Sequence, residues 1–139
     1  MAALSRLHVE HGLRWRWTPP RVRQQIEDPD TMALVASVNG HIAGFAMMHF
    51  GDLRAHLVLL VVEPRFRKSG IGSALLRWLE ASCVTAGILD IRLEVRAGNQ
   101  LAQKFYRSRG FTIVNRIPGY YDRMEAAVVM ERKLTQADP

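Results

Sequence analysis

Residues 58–77 read VLLVVEPRFRKSGIGSALLR, and the rest of the chain is organised around them. Val58-Leu59-Leu60-Val61-Val62 is an unbroken apolar run, the pattern of a strand buried on both faces. Pro64 ends it. A basic turn with two glycines follows, Arg67-Lys68-Ser69-Gly70-Ile71-Gly72, and directly after it Ala74, Leu75, Leu76, Leu79 and Cys83 recur at helical spacing. The order is strand, glycine loop, helix. A helix N-terminus presents unpaired N–H groups and partial positive charge, and glycines let a diphosphate come close to the backbone. Arg67 and Lys68 add full charges. The spacing is neither GxGxxG nor that of a P-loop, so the usual dinucleotide and Walker readings fail. Two readings fit the local chemistry: a site for a phosphate-bearing ligand, and a plain tight turn with solvated cations.

Length and composition bound the rest. At 139 residues the chain is expected to be a single domain, residues 1–139, large enough for a continuous core without disulfides or metal. With 48% hydrophobic and 23% charged residues it has an ordinary globular composition. Cys83 is the only cysteine, which excludes a disulfide framework or a cysteine-rich zinc site and suits a reducing cytoplasm. The N-terminus has no apolar signal core and no segment approaches about 18 apolar residues, so no membrane span is expected. The net charge of +6 and a sequence pI of about 10.2 permit polyanionic partners, nucleic acid among them. Arg6, Arg14, Arg16, Arg21, Arg23 and Arg65 are scattered, without an aromatic RNA-binding motif or finger spacing, which argues against nucleic acid.

In chain order, Leu13, Trp15 and Trp17 alternate with arginines as in a half-buried strand, and Thr18-Pro19-Pro20 can open one short helix closed by Asp28-Pro29-Asp30. Met32 to Val38 and His41 to Phe50 flank Asn39-Gly40, a strong hairpin signal that leads into the central strand. The helix from Ile71 to Ala86 ends before Gly87, and Ile88 to Arg96 alternates as a strand, with Ile91, Leu93 and Val95 on one face and Arg92, Glu94 and Arg96 on the other. Strand, helix, strand makes the two strands parallel. Asn99 is a natural cap for a helix that buries Leu101, Ala102 and Phe105 and stops at Gly110. Phe111 to Ile117 and Ala126 to Leu134 form a closing antiparallel pair joined across Pro118-Gly119-Tyr120-Tyr121-Asp122.

These residues resemble the GCN5-related N-acetyltransferase (GNAT) superfamily. Its acetyl-CoA signature, R/Q-x-x-G-x-G/A after a V-x-P strand end, stands here as Val62-Glu63-Pro64 and Arg67-Lys68-Ser69-Gly70-Ile71-Gly72. Asn99, Ala102, Tyr106, Gly110 and Phe111 resemble its second signature, N-x-x-A-x-x-x-Y-x-x-x-G-F. The likeness covers roughly residues 31 to 134. It implies an α+β fold: a mixed, mostly antiparallel central sheet with a splayed parallel strand pair and flanking helices. It also implies acetyl-CoA as co-substrate. On that resemblance the pantetheine arm pairs with backbone at Leu60, Val61 and Val62, the diphosphate meets the loop from Arg67 to Ser73 (Arg67, Lys68, Ser69, Gly70, Ile71, Gly72 and Ser73), and Asn99 and Tyr106 contact the CoA arm.

Acetyl transfer to an amine needs a base, stabilisation of developing charge and an acid for the thiolate. Glu94 lies on the polar face of its strand, where a surface carboxylate paired with Arg92 or Arg96 is the plain alternative. The segment LEVRAGN is similar to that of the ribosomal-protein N-terminal acetyltransferases, which implies Glu94 as base and as a substrate contact, with Tyr106 protonating sulfur. His56 and Glu63 are the second-choice bases. Tyr120 and Tyr121 resemble that subfamily's aromatic loop, which implies that they enclose a peptide N-terminus; packing as a hydrophobic corner is the other reading. The family has two helices before its second strand, whereas Thr18 to Asp30 leaves room for one, so the N-terminal helical region is shortened. The acceptor cleft is therefore expected to be more open or completed by a partner chain, as in a homodimer. A protein or peptide α-amine is the expected acceptor, with a small amine, an amino acid or a lysine side chain as the alternative and a non-catalytic acyl-CoA-binding module as the third reading.

Overall fold

The computed structural model describes residues 28–121 and 125–135. Asn39 and Gly40 both take positive φ, 50° and 82°, as a type I′ turn requires, and they join β1 (Thr31–Val38) to β2 (His41–Phe50). The chain returns through Gly51 into β3 (Ala55–Val62), makes a 3-10 turn at Pro64–Phe66 and enters α1 (Ile71–Thr85). Then come β4 (Asp90–Arg96), α2 (Gln100–Ser108), β5 (Thr112–Tyr121) and β6 (Glu125–Lys133). The strands form one sheet in the order β1-β2-β3-β4-β6-β5. Every neighbouring pair is antiparallel except β3 and β4. This is the α+β mixed sheet expected from the sequence.

The parallel pair separates almost as soon as it forms. β3 and β4 are in register only at Ala55↔Ile91 and His56↔Arg92, although β4 stays paired with β6 as far as Arg96 and β2 with β3 as far as Val62. From Leu57 onward the side of β3 that faces β4 has no ladder partner in the sheet. The result is a V closed near His56 and open toward Val62 and Arg96.

A β-bulge reshapes β3 inside the V. Met47 pairs with Leu59 and Met48 with Leu57, so Val58 is the extra residue. Leu57 joins the main core beneath α1, whereas Leu59 and Val61 join Phe45 and Met47 in a second cluster on the other face. Burial on both faces agrees with the sequence reading, and the strand begins three residues earlier than the apolar run because Ala55 and Leu57 are buried there.

The main core is built by Leu75, Leu76, Leu79 and Cys83 of α1 with Ile91, Leu93, Val95, Phe111 and Met130. Cys83 is a core thiol, as expected: burial, and then the charge of Glu80, push its pKa up to about 12. Two sequence expectations need correction. Leu101 is 79% exposed, and α2 buries Gln103 and Tyr106 instead, with Ala102 and Phe105 half-buried. The Gln103 amide donates to Arg96 O at 3.2 Å and Ala97 O at 2.9 Å, so the end of β4 fixes the rotation of α2 by satisfying that amide. β5 also continues through Pro118 to Tyr121, with its register shifting between Ile117 and Tyr121, rather than ending at Ile117. The expected strand at Leu13–Trp17 and the short helix after Thr18 lie outside the described residues.

Candidate active site

The V between β3 and β4 opens into a cleft of ≈ 1160 Å³. One half is built from backbone. Gly70 caps α1 with φ 87°, no side chain caps this N-terminus, and Lys68 also takes positive φ, 65°. The first N–H groups of α1 have no acceptor within the helix, which makes this end attractive to an anion. A Cβ on Gly72 would stand 3.4 Å from Phe105 Cζ and 3.6 Å from Val62 Cγ2, so this turn lies close against both β3 and α2. Beside it the unpaired backbone of β3 runs along the cleft at Leu60, Val61 and Val62. Exposed Lys68 and Arg67 stand at the mouth; Arg67 Nε is drawn back to Val62 O at 3.3 Å.

The other half is built from side chains. His56 Nε2 lies 2.7 Å from Glu94 Oε1 across the closing point of the V. The two side chains are 42% and 21% exposed, so the pair is half-buried yet reachable from the cleft. Arg92, the alternative partner of Glu94, turns to Glu131 at 3.6 Å. Directly opposite His56 on β2 is His49, whose Nδ1 lies 3.6 Å from Asp28 Oδ2. All four line the same cleft, together with Tyr120.

Tyr106 closes the floor from α2. Its ring packs edge-on against Phe105 at 5.2 Å and against Phe111 at 5.5 Å between centroids. Asn99 caps α2 by accepting from Ala102 N at 3.0 Å, and it also lines the cleft.

Most residues singled out from the sequence are thus brought together: Glu94, Tyr106, Leu60, Val61, Val62, Arg67, Lys68, Gly70, Gly72, Ser73, Asn99 and Tyr120 line one cavity. Ser69 in the same loop and Ile71 at the first position of α1 direct their side chains elsewhere, Ser69 Oγ donating to Phe66 O and Ile71 packing on the main core. Glu63 pairs with Arg65 at 3.2 Å and does not line the cleft. Tyr121 ends β5 opposite Glu125, and its side chain lies outside the described residues. Sequence reading missed Asp28, His49 and the cleft position of Leu101. A signal existed for His49, a polar residue next to Met47-Met48 at the end of an apolar strand.

The family model for the acetyltransferase (GNAT) family matches residues 3–111. The chain belongs to this family. Acetyl-CoA is accordingly the co-substrate of this GNAT enzyme, an N-acetyltransferase, and the unpaired β3 edge, the uncapped α1 terminus and the two cations form a donor set suited to its amides and phosphates. An uncharacterised N-acetyltransferase of Methanocaldococcus jannaschii is 35% identical over 104 residues, 74% of this chain and 67% of its own length. The crystal structure of Ard1 from Thermoplasma volcanium superposes with TM-score 0.82 at 30% identity, covering 93% of this chain and 88% of that one. That of the ribosomal-protein-S18-alanine N-acetyltransferase from Escherichia coli gives TM-score 0.80 at 27% identity, covering 98% and 88%. Among the described residues no helix is long and apolar enough to cross a membrane.

Proposed function

We propose that this GNAT enzyme acetylates the α-amine of a protein or peptide N-terminus, with Glu94 as general base and Tyr106 as general acid. The observation that carries the reading is the His56–Glu94 contact of 2.7 Å at the point where β3 and β4 part, on the same cleft as Tyr106. An ionised carboxylate only accepts, so His56 Nε2 carries the proton and donates it to Glu94 Oε1. His56 therefore orients the base instead of competing with it, and Glu94 keeps its second oxygen for the acceptor.

Glu94 takes a proton from the acceptor ammonium. The freed nitrogen forms its bond to the acetyl carbon as the carbon–sulfur bond breaks, and the electron pair of that bond goes to sulfur. Tyr106 gives sulfur its phenolic proton; a phenol near pKa ~10 is matched to a thiolate. The surplus proton of the new amide restores the tyrosine, and Glu94 returns its own to water. The products are the amide, free CoA thiol and one released proton.

The α-amine assignment is supported by the likeness to the S18-alanine acetyltransferase and by the presence of Tyr120 in the lining of the same cleft. A screen of acceptors with acetyl-CoA, reading free thiol, tests it. Release with alanine-initiated peptides and none with their N-blocked forms, free amino acids or lysine side chains is the expected result. Release with small amines alone would move the assignment to a small-molecule acceptor. Tight CoA binding with no turnover on any acceptor would leave a binding module.

A further inference from the structure

We infer that Glu80 and Arg132, both remote from the cleft lining, are positioning residues that set the place of Tyr106; this rests on the reading of Tyr106 as the proton donor. Glu80 is on α1 and only 2% exposed, a carboxylate inside the main core. It meets the Arg132 guanidinium from β6 through Nη1, and Arg109 Nη2 at 3.7 Å. Its charge also reaches Cys83, whose thiol it helps to keep protonated.

The same Arg132 Nη1 donates to the backbone carbonyl of Arg109 at 2.7 Å. Arg109 is the C-terminal cap of α2, and its N–H donates to Tyr106 O at 3.0 Å, as does the N–H of Phe111 at 3.0 Å. A continuous path of contacts thus runs from α1 through Glu80, Arg132 and the α2 cap to the backbone of Tyr106. Gly110 gives it room, since a Cβ there would stand 3.3 Å from Arg132 Nε. Phe111, on the far side of the clamped turn, presses its ring on Tyr106.

A buried ion pair is poor evidence of stabilisation, because apolar replacements of similar volume are often as stable. What apolar residues cannot do is hold the Arg109 carbonyl. Tyr106 stands on the last turns of α2, whose C-terminal cap the clamp holds, and misplacing a catalytic group by about 1 Å can cost roughly 10²-fold. The clamp therefore bears on proton donation more than on folding.

The test is the double variant Glu80→Met/Arg132→Met, which removes both members of the short pair and leaves the 25%-exposed Arg109 side chain without Glu80. With 13Cζ-tyrosine labelling, the three tyrosines of the chain give few signals, and Tyr106→Phe identifies the one of interest. Expected are unchanged melting and CoA affinity, a moved Tyr106 resonance with a changed titration, and turnover on an alanine-initiated peptide lowered about 10- to 100-fold. Adding Tyr106→Phe to that background should cost less than about twofold, which a merely structural role would not produce. A folded double variant whose Tyr106 signal is unmoved, or in which Tyr106→Phe still costs its full factor, overturns the inference. Should the double variant fail to fold, Arg132→Lys keeps a positive charge near Glu80 on a shorter side chain that withdraws Nη1 from the Arg109 carbonyl, and the same readouts decide. If Tyr106→Phe leaves the wild-type rate unchanged, the proton-donor reading falls as well; if it lowers the rate while the double variant does not, only the positioning role falls.

Discussion

The two halves of the cleft are made of different materials. The donor half is backbone: the uncapped N-terminus of α1, Gly70 and Lys68 with positive φ, and the unpaired edge of β3. The half that the proposed function gives to the acceptor is side chains from distant parts of the chain: Glu94 from β4, His56 from β3, His49 from β2, Asp28 before β1 and Tyr120 near the end of β5. Backbone groups suit a ligand whose diphosphate and amides never change. Side chains can be exchanged singly, so the acceptor can vary on one scaffold.

The comparison breaks if damage to one half disables the other, and the largest effect should come from the donor loop. Gly72→Asp puts a carboxylate against Phe105, Val62 and the α1 N-terminus, where a diphosphate would lose charge-assisted bonds. At ~1.5–3 kcal/mol per bond, two lost bonds amount to about 10²–10⁴-fold in CoA affinity, measurable by calorimetry. Next comes Glu94→Gln, expected to lower turnover about 10²–10³-fold in the thiol-release assay. Arg67→Ala should weaken CoA binding by only ~1–2 kcal/mol, because the backbone donors remain.

The smallest effect belongs to the closed end of the V, where Arg54 Nε and Lys133 Nζ meet Asp90 Oδ2 at 3.0 and 3.3 Å. Burial pushes the Asp90 carboxyl up, but hydrogen bonding with Arg54, Glu131 and Lys133 outweighs it and holds the pKa below the usual carboxylate value. A depressed pKa contributes stability above the unfolded value near ~3.9, and that contribution is lost as pH falls through the folded value. Asp90→Asn should therefore flatten the acid side of the stability curve below about pH 4 in denaturant titrations. The near-neutral rate should hardly move.

The same division explains what the sequence reveals. Backbone recognition needs glycines and a helix start at fixed local spacing, so Arg67 to Gly72 reads directly, as do the Asn39-Gly40 hairpin and the Asn99 cap. The acceptor half depends on register between strands. His56 and Glu94 are 38 residues apart and meet only because β3 and β4 pair at His56↔Arg92 before they part. The bulge at Val58 is equally hidden, since Leu and Val look alike on either face. Hydrophobicity points to Leu101 as the buried residue of α2, but Gln103 finds two carbonyls at the end of β4, and Leu101 is left exposed on the cleft lining.

The division of labour in the cleft is tested most directly by measuring CoA affinity in the Glu94→Gln variant alongside its turnover. The prediction is a dissociation constant within about twofold of wild type together with a ~10²–10³-fold loss of rate across pH 6 to about 10, and a displaced acid limb. Near-normal turnover over that range, or an affinity that falls in step with the rate, would contradict it.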